Sequence, residues 1–177
     1  MIKNILNLGD AAAYCDFGSE VNEAINYNVI NYFNQITELT KNEKIEGIIN
    51  LTPSYNKLII SFDLDVTNFK KIKSFIENLE VKQTSKKDNK EIKIPICCTE
   101  DFSLDFDRLI KKLNLNRDKI LQLYLDKEYF CYMTGFIAGM PFLGDTDKNI
   151  RCERLETPRV RVPKGSIGIT EQFANIY

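Results

Sequence analysis

The sequence of 177 residues contains no histidine, and this absence excludes several classes of catalytic site. Ser-His-Asp and Cys-His mechanisms need an imidazole as proton carrier, and many metal centres need it as a ligand. Any chemistry of this chain must therefore use carboxylates, lysine, arginine, tyrosine or the backbone. Loops of the GxxxxGK[ST] and GxGxxG types are also absent, so ATP binding by this chain alone is not expected.

Cysteine pairs and long apolar runs are lacking as well. The five cysteines are an odd number without a CxxC pair, which argues against a disulfide framework and a thiolate metal site. Runs such as Leu58-Ile59-Ile60 are far shorter than the roughly 20 residues that a membrane-spanning helix needs. The N-terminus has no signal-like apolar core. These features predict a cytoplasmic protein with no metal and no membrane partner.

Charge of either sign is nearly balanced, with 24 Lys and Arg against 25 Asp and Glu. A chain without a strong overall field does not recruit nucleic acid electrostatically, so nucleic acid is not an expected partner. The hydrophobic fraction of 44% is ordinary for a globular protein. The length suits one generous domain or two small ones.

The first part of the chain alternates strand and helix patterns. Residues 2–8 and 11–17 flank the turn pair Gly9-Asp10 and predict a β-hairpin. Ser19 is the expected N-cap of an amphipathic helix. Strands over 47–51 and 57–62 and a second helix after Thr67 complete an α+β domain.

A polar run between residues 82 and 90 has no apolar anchor and predicts a linker. The expected organisation is therefore an N-terminal domain at 1–81, a linker at 82–90 and a second domain at 91–177. The second domain is expected to contain strands over 91–97, 128–133 and 159–169, and helices capped by Ser103 and Asn116.

The most specific stretch runs from Gly135 to Ile169 and reads GFIAGMPFLGDTDKNIRCERLETPRVRVPKGSIGI. Its order of glycines, prolines and arginines resembles the carboxyltransferase subunit 1 family, whose pattern is roughly GF-x-PGF-x-YLG, PR, then TPR-x-R-V-P-x-GS-V. That family includes the kinase inhibitor KipI, the B subunit of 5-oxoprolinase (PxpB) and the matching half of the urea carboxylase carboxyltransferase domain. Shorter matches at Gly9-Asp10, Pro53-Ser54-Tyr55 and Ile94-Pro95 extend the resemblance over nearly the whole chain.

The resemblance implies a small N-terminal α/β sandwich domain followed by a cyclophilin-like β-barrel domain. It also implies two partners, a second carboxyltransferase-like subunit of the KipA type (the C subunit of 5-oxoprolinase) and a LamB/YcsF-type protein. Such a complex is an ATP-dependent hydrolase that opens 5-oxoproline to glutamate. ATP is accordingly expected through the complex only, and the isolated chain is expected to be inactive.

The candidate substrate-binding residues are Arg154, Arg159, Arg161 and Gly139, and no catalytic residue can be assigned. On a strand, Arg159 and Arg161 would share one face, where their donors could clamp a carboxylate or phosphate. The alternative is a solvated face whose valines fill the barrel. Gly139 either allows close approach of the backbone to a ligand or forms a turn. The loop carboxylates Asp145 and Asp147 are interpreted as solvated turn residues rather than a metal site.

Several positions depart from the family pattern. Tyr124 stands where the family has a histidine, Ala138 and Glu153 replace prolines, and Phe173-Ala174 replaces a Gln-Thr pair that could hydrogen-bond a substrate. The chain also stops at Tyr177, where relatives continue, so a truncated and incomplete barrel is expected. Two hypotheses follow. The chain is either a subunit of a 5-oxoprolinase-like complex, or a non-enzymatic protein, namely a KipI-like histidine-kinase inhibitor or a degenerate remnant.

Overall fold

The structure, a computed structural model, describes residues 1–81 and 90–177. They belong to two compact units, Met1–Asn89 and Lys90–Tyr177. All of the expected linker except Lys90 lies outside the described residues, so the predicted domain limits stay predictions. Within the described residues, each unit combines a four-stranded antiparallel sheet with two α-helices, which confirms the α+β class. The sandwich and barrel details stay predictions.

The first unit is built on a sheet of order β1-β2-β4-β3, from β1 (Asn4–Leu8), β2 (Ala12–Asp16), β3 (Ile48–Pro53) and β4 (Lys57–Phe62). The predicted hairpin is confirmed, because Leu8 pairs with Ala12 across a turn that contains Gly9. Alternate residues of the central strand β4, Leu58, Ile60 and Phe62, point into the core, as a half-buried strand requires.

Two helices, α1 (Glu23–Lys41) and α2 (Phe69–Glu77), pack against this sheet. The predicted cap Ser19 is wrong. Asn22 has the extended backbone of an N-cap, and its side-chain oxygen accepts from the backbone N–H of Ile25 at 2.9 Å. Asn68, directly after Thr67, caps α2 in the same way. The buried core includes Val29, Ile36, Ile72 and Ile76 from the helices.

The second unit contains helices α3 (Phe106–Leu113) and α4 (Arg117–Leu125). Asn116 caps α4 as predicted, with its side-chain oxygen 2.8 Å from the backbone nitrogen of Lys119. Ser103 does not cap α3, since its hydroxyl donates to the carbonyl of Thr99 at 2.9 Å and Asp105 occupies the cap position. The sheet order is β5-β6-β8-β7, from β5 (Phe130–Thr134), β6 (Pro141–Gly144), β7 (Ile167–Thr170) and β8 (Phe173–Ile176).

Two predicted strands of this unit are wrong. Residues 91–97 form no strand, and the alternating side chains of Ile92 and Ile94 are exposed. Of the expected strand at 159–169, residues 167–169 alone lie in a strand, at the start of β7. The alternating pattern is present in both segments, but a strand also needs a neighbour to hydrogen-bond with, and none of the described strand pairs includes residues 91–97 or 159–166.

Candidate functional site

The arginines of the segment 151–161 have different environments. Arg151 donates from Nε and Nη2 to the carbonyl oxygen of Thr146 at 3.2 and 3.1 Å. Arg159 donates from Nη2 to the carboxylate of Asp105. Arg154 and Arg161 are exposed and form no ion pair with any described residue. The segment therefore presents both paired and unpaired guanidinium groups.

Arg159 and Arg161 do not share a strand face, so that prediction is wrong. Neither residue lies in a strand, and Val160 between them is fully exposed at 106% instead of filling a barrel interior. The chain turns after them, where the backbone N–H of Ser166 donates to the carbonyl of Pro163 at 3.1 Å and Gly165 has φ 84. That Arg159 and Arg161 both bind a ligand stays a prediction, but a shared strand face no longer supports it.

Helix α3 faces the loop that carries these arginines, through side chains spaced along one face. Asp105 pairs with Arg159, and Lys112 pairs with Glu153 at 2.8 Å. The hydrogen bond from Lys112 holds the pKa of Glu153 below its ordinary value. The spacing of Asp105, Arg108 and Lys112 is visible in the sequence and typical of one helix face, so this face could have been predicted.

Gly139 lies in a tight turn. Its φ is 82, and the backbone N–H of Met140 donates to the carbonyl of Ile137 at 3.1 Å, as in a turn that needs a residue with positive φ. The turn is part of the wall of a cavity of about 390 Å³. This cavity is mainly apolar and is lined by Ile94, Ile137, Ala138, Gly139, Met140, Pro141, Ile176 and Tyr177. The structure thus brings the predicted Gly139 to a cavity whose lining includes none of the predicted arginines.

The loop carboxylates Asp145 and Asp147 both accept hydrogen bonds from neighbouring residues. Asp145 is half-buried and accepts from the side-chain nitrogen of Gln172 at 2.6 Å, so its interpretation as a solvated residue is wrong. Asp147 accepts from the backbone N–H of Asn149 at 2.8 Å, which lowers its pKa and caps a short 3₁₀ helix. Among the described residues, no three His, Cys, Asp or Glu side chains are grouped to hold a metal ion.

The second unit thus has an arginine-rich loop beside α3 and a glycine turn before β6. The sequence that forms them matches a known family. The family described as "Carboxyltransferase domain, subdomain C and D" matches residues 3–177. The chain belongs to this family. The resemblance deduced from the stretch between Gly135 and Ile169 is thereby confirmed.

Named relatives of this carboxyltransferase-family chain support the same assignment. The 5-oxoprolinase B subunit of Bacillus subtilis is 28% identical over 98% of this chain and 75% of its own length. That of Haemophilus influenzae is 30% identical over 75% of this chain and 62% of its own length, less than two thirds of that protein. The urea carboxylase of Kluyveromyces lactis has the same fold, with a TM-score of 0.68 and 14% identity over 98% of this chain and 17% of that one.

The helices of the carboxyltransferase-family chain are short or carry many polar residues. In the parts of the chain that the structure covers, 1–81 and 90–177, no helix has both the length and the apolar character needed to cross a membrane.

Proposed function

We propose that this chain is one subunit of a 5-oxoprolinase-like complex, which opens 5-oxoproline to glutamate with ATP. The observation that carries the proposal is the family assignment over residues 3–177 together with relatives named as the B subunit of 5-oxoprolinase. Subunit naming supports a multi-chain assembly. We propose a second carboxyltransferase-like subunit of the KipA type and a LamB/YcsF-type protein as partners, and a cytoplasmic location for the complex.

The role proposed for this chain is recognition of the substrate carboxylate. Arg154 and Arg161 supply exposed cations with no carboxylate partner among the described residues, and Arg159 supplies a third that Asp105 already holds. An arginine fork matches a carboxylate in a bidentate way, which suits the acid group of 5-oxoproline. Gly139, in the wall of the apolar cavity, is proposed as a further binding residue, where a glycine lets the backbone approach a ligand closely.

ATP is proposed to bind through the assembled complex rather than on this chain. The cavity beside Gly139 has a lining without cations and does not fit a triphosphate, which needs amide or cationic donors. A second cavity, of about 290 Å³ in the first unit, is lined by Lys71 but also by Glu46, whose carboxylate opposes phosphate. The chain has no histidine, and no catalytic residue can be assigned to it. We therefore propose that a partner subunit supplies the group that transfers protons in the reaction.

The proposal is tested by reconstitution. The chain is co-expressed with a KipA-type protein, a LamB/YcsF-type protein is added, and glutamate release from 5-oxoproline is measured with and without ATP. ATP-dependent turnover that requires all three proteins is the expected result. Replacing Arg161 by alanine should raise the KM for 5-oxoproline by about tenfold or more, because a charged hydrogen bond is worth roughly 1.5–3 kcal/mol. A stable complex without turnover would contradict the enzymatic role and favour the non-enzymatic hypothesis.

A further inference from the structure

The charged side chains at α3 are unequally paired. Asp105 is paired with Arg159 and Lys112 with Glu153, and Arg108 lies between them along the helix. No ion pair in the described part of the chain includes Arg108. Of these five side chains, three are cations and two are carboxylates, and Arg108 is the cation that has no carboxylate partner among the described residues.

The guanidinium of Arg108 also has an unsatisfied donor. Its Nε is buried and has no hydrogen-bond acceptor, although the residue as a whole is half-buried and so reaches the surface in part. A buried charged donor without an acceptor destabilises a folded chain, and such a group needs a physical explanation. In a site that binds an anion, the explanation is that the ligand supplies the missing negative charge.

The neighbouring thiol of Cys152 does not neutralise the charge of Arg108. The thiol of Cys152 lies beside the guanidinium and is 5% exposed. Burial raises the pKa of this thiol, whereas the charges of Arg108 and Lys112 and a hydrogen bond with the Arg108 side chain act in the opposite direction, so the sulfur stays a neutral thiol near pH 7. A neutral thiol is a weak acceptor and provides no counter-charge.

We propose that Arg108 is the anchor of a binding site for a small oxyanion, a carboxylate or a phosphate, between α3 and the loop that carries Cys152 and Arg159. The two ion pairs, Asp105 with Arg159 and Lys112 with Glu153, lie on either side of Arg108 along the helix and mark where the loop meets α3. The planar guanidinium of Arg108 carries donors whose geometry matches two oxygens of one anion. The proposal does not require the exposed Arg154 and Arg161, and it does not depend on the proposed 5-oxoprolinase activity.

The test is thermal unfolding of the isolated 177-residue chain with inorganic phosphate, compared with chloride at equal ionic strength. Phosphate should raise the melting temperature of the wild type, because a ligand that binds the native state alone stabilises it. Arg108→Met should abolish this rise. The matched control Lys111→Met removes an exposed positive charge from the same helix and should retain it. Without phosphate, Arg108→Met should be at least as stable as the wild type, since an apolar side chain replaces the unpaired donor.

Calorimetric titration separates the two anion sources. The Kd for phosphate, or for 5-oxoproline as the carboxylate, should rise roughly tenfold or more in Arg108→Met and less in Arg108→Lys, which keeps the charge without the fork. Tighter binding of 5-oxoproline would identify a carboxylate site, and tighter binding of phosphate a phosphate site. Equal affinities in the wild type, Arg108→Met and Lys111→Met, or no binding of either anion to the wild type, would overturn the proposal. Failure of the reconstituted complex to turn over would leave it unaffected.

Discussion

Arg159 donates from its guanidinium to the carboxylate of Asp105, a residue 54 positions earlier at the start of α3. The carboxylate of Asp105 therefore partly neutralises the guanidinium of Arg159, which ends the sequence Thr157-Pro158-Arg159. Both side chains are about one-third exposed, so water screens the pair and its contribution to stability is small. The pair acts more on what Arg159 can bind than on the fold.

Replacing Asp105 by asparagine should strengthen anion binding by Arg159. The change removes one negative charge next to the guanidinium while keeping a hydrogen-bond acceptor, and a unit charge at contact distance in water is worth about 1 kcal/mol. The affinity for 5-oxoproline should accordingly rise about fivefold, as measured by calorimetric titration. Asp107→Asn removes an exposed carboxylate from the same helix and serves as the control. Identical affinities in the two variants would show that Arg159 does not contact the anion.

Gly139 provides a second prediction, for the cavity beside its turn. An ideal Cβ at this position meets no atom within 4 Å, so the space would accept a side chain, but φ 82 disfavours most residues. Asparagine tolerates positive φ better than alanine does. Gly139→Asn should therefore stay folded by circular dichroism, while its side chain blocks the proposed close approach of a ligand to the backbone and raises the KM of the reconstituted complex.

The control for this experiment is Gly165→Asn. Gly165 also has a positive φ of 84 and no atom within 4 Å of its ideal Cβ, but the described cavity lining does not include it. The KM should be unchanged in this variant. If Gly139→Asn also leaves the KM unchanged, Gly139 serves the turn alone.

Helix caps show how far local sequence can predict the fold. The prediction of Asn116 as the cap of α4 is correct, because the side chain that caps and the amide it binds are only three residues apart. The same reasoning names Ser19 as the cap of α1, whereas Asn22 is the cap in the structure. The choice depends on where the extended backbone ends, and Asn56 fixes that by donating to the carbonyls of Gly18 and Glu20 from 36 or more positions away.

The candidate site shows the corresponding limit for function. The arginines of the segment 157–161 can be identified from the sequence, and the family can be recognised from the same segment. Their pairing cannot, because Asp105 and Lys112 reach the loop through tertiary packing of α3. The period-two pattern of Arg159 and Arg161 predicts a strand, but the pattern states which side chains could share a face and not whether a neighbouring strand exists.

A third prediction concerns the buried amide of Asn26, which is 1% exposed. Its side-chain nitrogen donates to the carbonyls of Ser54 at 3.1 Å and Tyr55 at 2.9 Å, in the turn between β3 and β4. Asn26→Ala would leave both carbonyls without this donor, so the free energy of unfolding should fall by about 2–3 kcal/mol.

Urea unfolding followed by circular dichroism measures this loss. Asn34→Ala, at an exposed position of the same helix, is the matched control and should change the free energy of unfolding by at most about 0.5 kcal/mol. Equal effects of the two substitutions would show that the turn does not depend on Asn26.

The last prediction concerns alkaline pH. Cys15 is fully buried in the core of the first unit, and burial raises the pKa of its thiol from 9.0 to about 12. Above the unfolded pKa the unfolded chain releases this proton while the native chain keeps it. Native stability is then lost as pH rises, by up to about 1.36 kcal/mol per pH unit. The loss should begin near pH 9 and end near pH 12, where the native thiol also ionises.

Urea unfolding at about pH 7.5 and about pH 10.5 tests this linkage through the difference between the two conditions. Cys15→Ala lowers stability at both, because it leaves a small cavity, but it removes the titrating thiol. Its loss of stability between the two pH values should be smaller than that of the wild type by about 2 kcal/mol. Cys97→Ala removes an exposed thiol whose pKa is lowered by hydrogen bonds from Thr99, so it should keep the steep alkaline loss. If Cys15→Ala loses as much stability as the wild type, the thiol does not titrate differently on folding, and the alkaline sensitivity has another source.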